Sequence, residues 1–122
     1  MGWFEADIDK IRKRIPADGW EEFDFVSKFV ASAVRPFGGL NEVRGHVFLM
    51  GLVAVDISKR LEYEIPPKDY AEIFKIQQQN LGFLDEKFNS AISTILGVLV
   101  EQGHITHKME DGHLTTPLRQ RM

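Results

Sequence analysis

Val47-Phe48-Leu49-Met50-Gly51-Leu52-Val53-Ala54-Val55 is the longest apolar run in the chain. Such a run belongs to an element buried on every side, and a buried strand could be written with the same residues. Two features point to a helix from about Glu42 to Leu61: the length of the segment, and Asn41 in front of it as an N-cap. Gly45 and Gly51 would let neighbouring helices approach it closely. At nine residues, the run falls well short of the ~20 that a membrane-spanning helix needs.

Outward from this centre, helical periodicity dominates. Towards the N-terminus, Phe23, Val26, Val30, Ala33, Val34 and Phe37 trace one side of a helix from about Gly19 to Arg35, with Phe25 and Phe29 beside the stripe. Asp18 is its expected N-cap and Glu21 completes the box-like spacing. Pro36 and Gly38-Gly39 end it. Before it, Phe4, Ile8, Ile11 and Ile15 mark a helix from about Trp3 to Ile15 that Pro16 stops.

Towards the C-terminus, Pro66-Pro67 suits a helix start. Tyr70, Ile73 and Phe74 are expected to line its buried face, and it should fade in Gln77-Gln78-Gln79-Asn80 before Gly82. Phe88, Ala91, Ile92, Ile95, Leu96 and Leu99 predict a fifth helix from about Asp85 to Gln102, with Gly103 as a left-handed cap. Ile105, His107 and Met109 then alternate up to Asp111-Gly112, a two-residue hairpin signal that would pair Met109 with Leu114 and His107 with Thr116. The expected fold is mainly α: one domain over 1–122, five helices and a C-terminal β-hairpin.

Charge follows the helices. Glu5, Asp7 and Asp9 open the first and Lys10, Arg12, Lys13 and Arg14 close it, which complements the helix dipole better than it describes a phosphate-binding patch. The net charge of −3 sits in the C-terminal half: residues 1–61 hold nine basic and nine acidic side chains, residues 62–122 six and nine. That excess disfavours nucleic acid as a partner, because phosphate neutralisation supplies most non-specific affinity.

The chain has no cysteine, which excludes disulfides and thiolate chemistry and fits a reducing compartment. The acidic Met1–Asp7 stretch has no signal-peptide pattern, so the protein is expected to be cytoplasmic.

Few residues suggest chemistry. Asp18, Glu21, Glu22 and Asp24 lack calcium-loop spacing. His104 and His107 would face opposite sides of a strand, so no metal site is expected with His113, Glu110 or Asp111. His46 reads as a satisfied core histidine. Ser90, Ser93 and Thr94 have no nucleophile elbow, and no phosphate-binding Gly-rich loop occurs. No catalytic residue, cofactor or metal is expected, and the chain is read as a non-enzyme. An enzyme whose site is assembled from distant residues is the remaining alternative.

The run Asn89-Ser90-Ala91-Ile92-Ser93-Thr94-Ile95-Leu96-Gly97-Val98-Leu99-Val100-Glu101-Gln102-Gly103-His104-Ile105-Thr106, followed by Asp111-Gly112-His113-Leu114-Thr115-Thr116-Pro117-Leu118, resembles the recognition helix and wing of winged helix-turn-helix regulators. The resemblance spans residues 67–118, apart from the N-terminal helices of 1–61. It implies that Lys87, Asn89, Ser90, Ser93 and Thr94 face DNA bases or phosphates, with Lys108 on the wing.

The other expectation is a protein-interaction or homodimerising module. Trp3, Phe4, Trp20, Phe25 and Phe29 supply more large apolar surface than one small core requires, and aromatics enrich interfaces. No membrane partner is expected.

Overall fold

The computed structural model describes residues 3–106, 109–110 and 113–114, and side chains from residue 5 to 106. It is mainly helical: α1 (Trp3–Arg12), α2 (Trp20–Val34), α3 (Gly39–Arg60), α4 (Pro67–Leu81) and α5 (Glu86–Glu101). No helix among the described residues is long and apolar enough to cross a membrane.

Helix α3 is the axis of the fold, with α1, α2 and α4 packed on it. Every residue from Val47 to Ser58 is buried, as an all-round apolar run requires. Its two glycines are points of close approach. A Cβ at Gly51 would stand 2.6 Å from the Gln77 side chain of α4, and one at Gly45 would collide with the Phe88 ring of α5. Phe88 also meets Phe37 edge-on, centroids 5.1 Å apart. Ile11 and Ile15, then Phe23, Val26, Val30 and Val34, bring the first two helices into the same apolar interior as Ile73, Ile76, Leu96 and Leu99.

Two expected caps are elsewhere. Ala17–Gly19 form a short 3-10 turn, so Gly19 precedes α2 with no side-chain cap, and Asp18 does not cap it. Gly19 stands where a Cβ would meet Ile57 at 2.7 Å, so packing against α3 fixes this junction. Helix α3 begins ahead of Asn41, again without a side-chain cap. Asn41 instead ties α3 to the α4–α5 connection: its Nδ2 donates to Asp85 Oδ2 (2.8 Å), and its Oδ1 accepts from the Asp85 N–H (3.1 Å). Asp85 does cap α5, accepting from the Phe88 N–H at 3.0 Å. The bond from Asn41, then the one from Phe88, holds its carboxyl below the usual carboxylate range.

Helix α4 does not fade in its polar run. Gln77 and Asn80 are buried, and their amides are satisfied. Gln77 Nε2 donates to the Phe48 carbonyl (3.1 Å) and Asn80 Nδ2 to the Ile76 carbonyl (2.8 Å). A buried amide with partners is tolerable where an orphaned one is not. The buried face is therefore Ile73, Ile76, Gln77 and Asn80, and Tyr70 and Phe74, expected inside, stand exposed.

Both α3 and α5 end in Schellman turns. After α5, Gly103 takes φ +81°, the His104 N–H donates to the Leu99 carbonyl (2.8 Å) and the Gly103 N–H to Val100 (3.0 Å). After α3, Glu62 takes φ +57°, the Tyr63 N–H donates to the Ser58 carbonyl (2.9 Å) and the Glu62 N–H to Lys59 (3.0 Å).

The segment leaving α5 is then anchored. Asp56, almost wholly buried on α3, accepts from both the N–H and the hydroxyl of Thr106. Arg60 bridges Asp56 (2.9 Å) and Glu22 (2.6 Å) and donates to the His104 carbonyl (3.3 Å). The His104 ring rests on Phe29, centroids 4.4 Å apart.

Beyond this anchor, Met109–Glu110 and His113–Leu114 form a two-residue antiparallel ladder. Ile105 and Thr106, expected in the first strand, are not in a strand, and the Asp111-Gly112 turn and the His107–Thr116 pair lie outside the described residues.

Candidate binding surface at the α3–α4 elbow

A cavity of about 300 Å³ opens where α3 gives way to α4, between Val55, Ser58, Lys59, Tyr63, Glu64, Ile65 and Tyr70. Three stretches of chain build it. The last turn of α3 presents Val55, Ser58 and Lys59. The Schellman turn aims Tyr63 outward, and Pro66-Pro67 start α4 so that Tyr70 closes the opposite wall. Phe74 lies one helical turn beyond Tyr70 on the same flank, within a few ångströms of it by helix geometry. Leu61, Tyr63, Tyr70 (47% exposed) and Phe74 (55%) are all exposed in this stretch of chain, and Tyr63 and Tyr70 also line the cavity.

Two local departures from low-energy structure coincide here. Glu62 holds a left-handed backbone that disfavours any residue with a Cβ. The Ser58 hydroxyl is buried with no hydrogen-bond partner, an arrangement that costs about 1–3 kcal/mol. Strained backbone and unsatisfied polar groups gather at ligand-binding sites, where a partner completes them. The chemistry on offer is apolar and aromatic contact, one buried hydroxyl, and an ammonium and a carboxylate at the mouth from Lys59 and Glu64. No nucleophile–base pair lines the cavity.

The interface residues expected from sequence are spread elsewhere. Trp3 and Phe4 lie on α1, with side chains outside the described residues. Trp20 is half-buried: its Nε1 donates to the Arg12 carbonyl (2.8 Å) and the Arg12 guanidinium lies 4.4 Å over its ring. Phe29 is half-buried under His104, and Phe25 stands 64% exposed on α2. Reading aromatics by abundance missed Tyr63, Tyr70 and Phe74. The outward flank of α4 could have been found only by knowing that Gln77 and Asn80 point inward.

Lys87, Asn89, Ser90, Ser93 and Thr94 all stand exposed on α5 and none lines the cavity, while Lys108 lies outside the described residues.

The charged cluster that closes α1 is engaged in ion pairs, two of them to other helices and one local. Arg12 forks onto Asp24, with both bonds at 2.9 Å, Arg14 reaches Asp69 at 2.9 Å and Lys13 reaches Asp9 at 3.1 Å. Among the described residues, no group of three His, Asp or Glu side chains could hold a metal ion. His46, half-buried between α2 and α3, shares a 2.8 Å hydrogen bond with Ser27 Oγ. Burial pushes its pKa below the ordinary histidine value, which favours the neutral ring.

No family model, curated protein or solved structure matches the chain.

Proposed function

We propose that this chain is a non-enzymatic protein-interaction module of the cytoplasm, and that it docks its partner on the α3–α4 elbow. One observation carries the reading: exposed aromatics, a cavity, a left-handed glutamate and an unpartnered buried hydroxyl all fall within residues 55–74. Tyrosine and phenylalanine over a small pocket are the usual anchors of an interface core. A photo-crosslinking phenylalanine at position 74, introduced in the cells that make the protein, tests this. It should yield a discrete protein adduct that the same group at the exposed Gln79 does not give. No adduct from position 74 would end the reading.

A DNA-binding winged helix is the second reading. Two observations support it: α4 and α5 are joined by only four residues, 82–85, the length of a helix-turn-helix connection, and the polar face of α5 is open to solvent. Its hairpin wing and Lys108 belong to this proposal too. Fluorescence anisotropy with random duplex DNA at ~50 mM salt is its test. Binding should weaken steeply with added salt and with Lys87→Ala. No binding at that salt would discard it.

A further inference from the structure

We infer that the partner at the elbow is a second copy of this chain, related by a two-fold axis, with Phe74 of each protomer entering the cavity of the other, an inference that rests on the docking role proposed above. The charge around the elbow supports a like partner. Lys59 and Glu64 line the cavity, Glu62 lies between them in the chain, and Lys75 comes directly after Phe74. These four exposed charges sum to zero in a protein of net charge −3. None of them forms an ion pair among the described residues, whereas Arg12, Arg14 and Arg60 are all engaged within the fold.

A two-fold interface brings the same patch against itself, so it must carry both signs and be self-complementary. Two lysines and two glutamates around an aromatic centre meet that condition. Phe25, the strongly exposed aromatic on α2, has no such ring of unpaired charges: Asp24 beside it is taken up by Arg12, and neither Phe25 nor its chain neighbours line the cavity that would receive a copied ring.

The geometry also pairs what protrudes with what is hollow. Phe74 is exposed one turn from Tyr70, which walls the cavity. A two-fold axis near Tyr70 would seat each Phe74 against Val55, Ile65 and Tyr63 of the other protomer. Tyr63 and Tyr70, with hydroxyls on otherwise apolar rings, can border such a contact without desolvating a charge.

Sedimentation velocity on the purified chain from ~1 to ~100 µM, the range in which interfaces of modest affinity titrate, should show a monomer–dimer equilibrium. Phe74→Glu should raise the dimer dissociation constant at least ~30-fold, the size of a hot-spot loss, while leaving the helical circular dichroism unchanged. A charge exchange tests the pairing itself. Lys59→Glu/Lys75→Glu and Glu62→Lys/Glu64→Lys should each be monomeric alone and form a mixed dimer when combined. A wild-type chain that stays monomeric, or a dimer indifferent to both Phe74→Glu and the charge exchange, overturns the inference. The crosslink at position 74 separates the two proposals. An adduct holding only other proteins defeats self-association and leaves the docking role standing, and no adduct defeats both.

Discussion

Helices α3 and α5 stop on the same hydrogen-bonded turn but with different residues in the left-handed position, Glu62 in one and Gly103 in the other. Glycine meets that conformation without strain, and glutamate does not. The segments beyond the two turns differ as well. The chain leaving α5 buries Ile105 and is bound by Asp56 and Arg60. The chain leaving α3 exposes Leu61, Glu62, Tyr63 and Glu64 and returns to the interior only at Ile65. One end is tied down by hydrogen bonds and an ion pair. The other carries strain, an orphaned hydroxyl and a cavity, and the proposed docking surface sits there.

The largest effect that can break this contrast lies at the anchored end. Asp56→Ala should cost about 3 kcal/mol, the low end for breaking a buried charge pair because Arg60 keeps Glu22. Urea unfolding would read it, and a loss under ~1 kcal/mol would mean that the anchor contributes little. Gly103→Ala comes next, with a loss of about 1–2 kcal/mol from forcing a Cβ into the left-handed region.

At the strained end the sign reverses. Ser58→Ala should stabilise the fold by about 1 kcal/mol by removing a buried donor that has no acceptor. Glu62→Gly should stabilise it by up to about 1 kcal/mol, since relief of strain outweighs the greater freedom of glycine in the unfolded chain. Both are measured in the Phe74→Glu background, where folding is not linked to protomer concentration. Destabilisation by either would remove the distinction between the two ends.

The smallest effect sharpens it from outside. With its pKa lowered by burial, folded His46 binds fewer protons than it does in the unfolded chain. Stability should therefore rise with pH up to the ordinary histidine pKa and fall as pH drops below it. His46→Gln should flatten that slope in thermal melts between about pH 5 and 7 while leaving both helix ends unaffected.

The sequence made the five helices legible because their apolar stripes are long and regular, and because Pro16, Pro36, Pro67 and Gly103 punctuate them. Residues 47–55 were readable as the buried axis for the same reason. Asp18 and Asn41 misled because a capping residue type cannot be told from one that bonds another element. Gln77 and Asn80 misled because their polarity is satisfied by carbonyls, one of them on a different helix. That misreading turned Tyr70 and Phe74 inward. The elbow itself had no linear signal, since it joins residues 55–59, 63–65 and 70 in space. Glu62 in a left-handed turn also looks like any surface glutamate.

The missing side chain at Gly51 reaches further than its own contact. Gln77 rests in that notch, one turn beyond Phe74 on the same helix, and the room left by Gly51 is what lets its amide reach the Phe48 carbonyl. A single added methyl group there would collide with the Gln77 side chain and force it out of its place against the Phe48 carbonyl. The polar bond that joins α4 to α3 in the interior therefore depends on a residue that contributes no side chain of its own.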